Sequence, residues 1–102
     1  MISVLATIEV APGRRDEFLA AFKELVPKVL AEEGCVEYGP WIDVPTELRS
    51  QGDERADVVV VIEKWESLDA MERHLIAPHM LDYRKNVKPM VAATSLQVLG
   101  TA

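Results

Sequence analysis

The sequence predicts an α+β protein: a ferredoxin-like βαββαβ sandwich whose four-stranded antiparallel sheet carries its helices on one face. Three observations predict it. The hydrophobic period changes from two residues to about 3.6 and back, in the order strand, long helix, strand, strand, helix, strand. No stretch repeats at the periods of about 20 to 50 residues that mark solenoids. A chain of 102 residues and 11.4 kDa buries roughly 65% of its extended surface, enough for one modest core, so a single domain over residues 1–102 is expected.

Ile2, Val4, Ala6, Ile8 and Val10 share one parity, as on a half-buried strand, and Pro12-Gly13 ends it. From Arg14 to Glu33 the apolar positions Phe18, Phe22, Leu25 and Val29 step by four, three and four, giving an amphipathic helix of about 20 residues that stops at Gly34. Asp16 and Glu17 suit its positive N-terminal end. Pro27 lies inside this pattern and lacks an N–H, so a kink is expected there. A second strand runs from Cys35 to Val44. Gly39-Pro40 interrupts it and makes it an edge strand with a bulge near Pro40.

The polar stretch Pro45 to Arg55 reads as a mobile surface hairpin loop. Ala56 to Trp65 then contains five consecutive β-branched residues, Val58 to Ile62, the mark of a strand buried on both faces. Ser67 caps a short helix at Leu68, and Pro78 splits the helical stretch into pieces at 68–76 and 78–87. Pro89 closes the second piece, and Ala93 to Leu99 alternates as a final strand. Because the central strands are apolar on both parities, the helix-free face needs a cover. A second copy laid sheet to sheet would supply it, giving a homodimer with a barrel-like centre, a dimeric α/β barrel.

With 11 basic and 17 acidic side chains the net charge is −6, so phosphate backbones and anionic lipid surfaces are repelled. Nucleic-acid and membrane partners are not expected. The one cysteine, Cys35, forms no internal disulfide, and no basic leader or long apolar stretch opens the chain, so a cytoplasmic location is expected. The five glycines are scattered singly, which excludes a glycine-rich phosphate loop, and no serine sits in an elbow motif.

Several segments match one family in order and spacing. They are the opening strand with Ala11-Pro12-Gly13, the helix ending Glu32-Glu33-Gly34-Cys35 with Tyr38 beyond, and Glu63-Lys64-Trp65-Glu66-Ser67-Leu68-Asp69-Ala70 with His74 and Pro78-His79-Met80 after it. Over almost its whole length the chain resembles the antibiotic biosynthesis monooxygenase (ABM) family of small dimeric α+β barrels. That resemblance implies a cofactor-free monooxygenase acting with O2 on a small phenolic or quinol-type aromatic compound. Haem-degrading relatives carry an asparagine where Ala6 aligns and a tryptophan where His74 aligns, so the resemblance does not extend to haem degradation.

His74 is the first candidate catalytic residue, because a neutral imidazole accepts a proton near neutral pH and the implied reaction needs a base. The bland alternative is a surface or capping histidine. His79, at the start of the second helical piece, reads as a neutral hydrogen-bonding imidazole or a structural one. Glu63 shares its parity with Val59, Val61 and Trp65, so it is an acid on an apolar face that needs a partner or a raised pKa. A metal site of His74, His79 and Glu63 is disfavoured, since the five-residue spacing crosses a helix break and does not place both rings on one helical face. No metal is expected.

Trp65, Trp41 and Tyr38 are candidate walls of an aromatic pocket between sheet and helices, against a plain packing role. Tyr83 lies four residues after His79 on the same helical face and would offer its hydroxyl to that cavity. Met71, Met80 and Met90 would line a pocket that accepts varied shapes, or fill core gaps. Cys35 reads as a small buried hydrophobe, and Glu32-Glu33 as part of a solvated face. Two other functions fit the same frame: a non-catalytic small-molecule binding module, and an acid–base isomerase using His74.

Overall fold

The first strand, β1 (Ile2–Val10), forms where the sequence alternates, and its even-numbered side chains Val4, Ala6, Ile8 and Val10 are buried. The computed structural model describes every residue from Met1 to Ala102. Helix α1 (Arg15–Leu30) buries Phe18, Phe22, Leu25 and Val29, the four positions of the predicted stripe. It is shorter than the 20 residues expected. Pro27 leaves the Lys23 carbonyl without its helical N–H, yet the chain stays helical for three more residues to Leu30. Residues 31–34 then form a turn with Gly34 at φ +84°, so Glu32 and Glu33 lie beyond the helix rather than on its exposed face.

Strand β2 (Cys35–Trp41) ends before the expected Val44, and residues 42–57 form an exposed connection. Its irregular register lies between Cys35 and Glu37, not at Pro40, because Pro40 sits on a sheet edge where no ladder N–H is missed. Bidentate bonds of 2.8 and 2.9 Å from Arg55 to Asp43 pin the base of the 42–57 loop and hold the Asp43 carboxyl down at about 2.

Strand β3 (Val58–Trp65) buries Val59, Val61, Glu63 and Trp65 on the helix side. Val58, Val60 and Ile62, on the opposite side, are only half-buried in one chain, so the expected burial on both faces is not complete within it. Ser67 caps α2 (Leu68–Leu75) by accepting the Ala70 N–H at 3.1 Å. Pro78 opens α3 (Pro78–Val87), which passes through a 3-10 turn at Lys88–Met90 into β4 (Val91–Leu99).

The sheet order is β2-β3-β1-β4, all antiparallel, with all the helices on one face. This is the ferredoxin-like α+β architecture, and the four-stranded sheet is open at β2 and β4. Register places Ala6 between Val61 and Leu96, and Val4 between Glu63 and Val98. Side chains from three strands therefore share the helix-facing surface beneath α2 and α3. The molecule is a slab of 38 × 36 × 20 Å, about two layers thick. No helix is long and apolar enough to cross a membrane.

Candidate functional site

Between α3 and the β1–β4 half of the sheet lies a cavity of about 490 Å³. Its walls are mostly apolar, with Ile8, Phe22, Val61 and Met80 among them. A volume and lining of this kind suit a small aromatic molecule. Polar groups enter at a few points: His74 from α2, Glu63 from β3, Tyr38 from β2, Tyr83 and Arg84 from α3, Lys88 from the turn after it and Thr94 from β4.

His74 is only 2% exposed, so its hydrogen bonds are set by the protein. Its ring lies 4.7 Å from the Trp65 ring and 5.4 Å from the Tyr38 ring, centroid to centroid. Its Nδ1–H donates to Glu32 Oε2 at 2.8 Å, and His79 Nε2–H donates to the same oxygen at 2.7 Å. A carboxylate oxygen accepts, so the proton of His74 sits on Nδ1 and the lone pair on Nε2. No buried side-chain nitrogen or oxygen lacks a partner, and Nε2 makes no hydrogen bond within the protein. That nitrogen is therefore reached from the cavity that His74 lines. Burial lowers the pKa of His74 below the usual histidine value, outweighing the opposing pull of Glu32, so the free base is the neutral-pH form.

Glu63 is nearly buried, and its Oε1 accepts the Trp65 Nε1–H at 2.9 Å. Burial raises its pKa to about 6, with the Trp65 bond opposing. Its second oxygen, unpaired within the protein, opens on the cavity by the same reasoning. Burial also pushes the Tyr38 and Tyr83 phenols up, which keeps both hydroxyls protonated and able to donate. Phe22 stacks on Tyr38 with centroids 5.5 Å apart and meets Tyr83 edge-on at 5.7 Å, fixing both rings at the cavity wall.

Of the candidates read from the sequence, His74, Glu63, Tyr38, Tyr83 and Met80 line one cavity. Trp65 lies fully buried behind His74 and Glu63 and fixes both without lining the space. His79 reaches the cluster from outside, through Glu32. Trp41 does not join it. It stands 55% exposed on the edge strand, paired with Val60 on the face that carries no helices.

The expectation that Glu32 belongs to a solvated face is wrong: it is the acceptor that joins both histidines. Likewise the helix break does not keep the two rings apart, because Ala77 and Pro78 turn α3 back so that His79 faces the same carboxylate. Arg84 was not foreseen either, since an exposed helical arginine carries no local signal. Its guanidinium donates to the Leu75 carbonyl at the end of α2 and borders the cavity.

The fold and site define a small α+β protein with a buried imidazole, held by a carboxylate, beside a mostly apolar cavity. Comparison with known proteins gives the lineage. Residues 1–86 match the family described as antibiotic biosynthesis monooxygenase, and the chain belongs to that family. It is 39% identical over 101 residues to the Escherichia coli K12 protein named "Probable quinol monooxygenase YgiN", covering 97% of this chain and 96% of that one. Among solved structures, a conserved protein of Methanosarcina mazei Go1 superposes with TM-score 0.84 at 22% identity, over 99% of this chain and 92% of that one. A Pseudomonas aeruginosa protein superposes with TM-score 0.80 at 25% identity, over 99% and 93%.

Proposed function

We propose that this protein is a monooxygenase of a small hydroquinone-type aromatic compound, with His74 as its base. The observation that carries this reading is the His74 imidazole, held at Nδ1 by Glu32 and open at Nε2 to an apolar cavity. Family membership and the likeness to the probable quinol monooxygenase of Escherichia coli support it.

The chemistry rests on the electron count. Oxidising a hydroquinone to its quinone releases two electrons, and converting one ring C–H to C–OH releases two more. Together these reduce both atoms of O2. One oxygen enters the ring and the other leaves as water with the two phenolic hydrogens, so the reaction balances without a further reductant. His74 Nε2 takes the first phenolic proton, leaving an electron-rich phenolate to react with O2. Glu32 then faces an imidazolium and stabilises it. Tyr38 and Tyr83 donate to the second oxygen of the ring, and the apolar walls exclude water from the reduced intermediates.

We further propose that the working form is a cytoplasmic homodimer joined through the helix-free face of the sheet. Leu5, Val60 and Ile62 form an apolar stripe there, flanked by Trp41. The accessible surface of 6786 Å² exceeds by about 1,000 Å² the ~5,800 Å² expected of a monomer of this mass. Such an excess fits a slab lacking its second cover.

Oxygen consumption across a panel of hydroquinones and anthrones, with 18O-labelled O2, tests the activity. One labelled oxygen in the product and one in water is the expected result. Uptake no faster than the uncatalysed rate contradicts the reading. In that event, stabilisation of the fold by these compounds without turnover identifies a binding module, and product formed without O2 identifies an isomerase.

A further inference from the structure

We propose that Glu32, His74 and His79 form a site for a borderline divalent transition metal such as zinc or cobalt(II), and that filling it switches His74 off as a base. The metal site rests on geometry alone. The switch rests also on the reading of His74 given above.

The three residues come from the turn after α1, from α2 and from the first turn of α3, and their ligand atoms all lie within 4.8 Å of one another. Zinc held tetrahedrally at about 2.0–2.1 Å places its ligands roughly 3.3 Å apart. Glu32 Oε2 lies 2.8 and 2.7 Å from the two ring nitrogens, and the three atoms lie within 4.8 Å of one another, so a metal entering between them needs the carboxylate oxygen to withdraw by about half an ångström and the two rings to close in on it. Two imidazoles and one carboxylate favour zinc, cobalt or nickel over the oxygen-seeking magnesium and calcium. No lysine or arginine pairs with Glu32, so no protein cation competes for it.

Access comes from the side away from the cavity. Neither Glu32 nor His79 lines that cavity, and they are 14% and 24% exposed. A metal entering there meets three protein ligands and keeps a fourth position for water. The chain's charge of −6 favours its approach.

The consequence for His74 is a change of tautomer. Neutral imidazole carries one proton. When Nδ1 donates to Glu32, the lone pair lies on Nε2. When Nδ1 binds a metal, the proton must sit on Nε2, and the nitrogen facing the cavity becomes a donor. The base is lost while the cavity keeps its shape.

Cobalt(II) chloride titrated into untagged, metal-free protein without substrate tests the site. The expected result is one cobalt per chain with the visible absorption of tetrahedral cobalt, and affinity about 100-fold weaker in His79→Ala. His79→Gln serves if His79→Ala does not fold. Absence of those bands, or unchanged affinity in the folded variant, overturns the site. Zinc chloride added to turnover assays tests the switch: kcat should fall at constant KM and return with chelator. Competition with substrate, or no inhibition by zinc while cobalt binds, overturns the switch. If the wild-type protein turns over no hydroquinone, the His74 reading fails and the switch fails with it, while the cobalt titration still decides the metal site.

Discussion

Glu32 and His74 lie 42 positions apart in the chain, yet Glu32 Oε2 stands 2.8 Å from His74 Nδ1. The contact sets which ring nitrogen holds the proton. Replacing Glu32 by Gln keeps an oxygen acceptor but removes the charge that, in the proposed mechanism, stabilises a protonated His74 ring. We predict that Glu32→Gln lowers kcat by roughly ten- to a hundredfold and changes KM little, measured by steady-state oxygen uptake.

Glu63 links stability to pH. Its carboxyl titrates at about 6 in the fold, above the ordinary 4.5, because burial disfavours the charged form. The native state therefore holds this proton more tightly than the unfolded chain does. Its favourable contribution is full below the ordinary value and is lost as pH rises through 6. The shift corresponds to about 2 kcal/mol. Glu63→Gln should remove this dependence, so the variant gains about 2 kcal/mol on the wild type between pH 4 and pH 8 in urea melts. Parallel pH profiles for the two proteins would contradict it.

Gly34 holds the turn that presents Glu32. It has φ +84°, and a Cβ there would meet the Ala70 Cβ at 2.5 Å. Gly13 has a similar φ of +78° but open space around it. Gly34→Ala should therefore cost about 1–3 kcal/mol more than Gly13→Ala. Thermal denaturation of both variants checks this, and equal losses would mean that the backbone angle alone matters.

Ile62 faces away from the helices and opposite Leu5 on the neighbouring strand. Placing Lys there puts a charge on each side of the proposed interface. Ile62→Lys should sediment as a folded monomer where the wild type sediments as a dimer. A wild type that is monomeric at micromolar concentration would contradict the interface.

The fold was legible because its signals are local. Alternation marked β1, the Phe18–Phe22–Leu25–Val29 stripe marked α1, and Ser67 and Pro78 marked the starts of α2 and α3. Glu63 betrayed itself by sharing parity with Val59 and Val61, and His74, Tyr38, Tyr83 and Met80 did reach one cavity. Glu32 was hidden because its role depends on the chain leaving α1 at Leu30 and on partners 42 and 47 residues away. Trp41 misled because its large apolar ring says nothing of which sheet face it occupies. The pairing runs unbroken from Tyr38 opposite Glu63 to Trp41 opposite Val60, so alternation alone sets Trp41 on the face away from Tyr38 and the cavity.

The most direct test of His74 as the base compares His74→Ala with the wild type on a hydroquinone that the wild type oxidises, at saturating O2. At least a ~100-fold fall in kcat is expected, with the fold intact by circular dichroism. An unchanged kcat in the folded variant would remove His74 from the chemistry and contradict its role as the base.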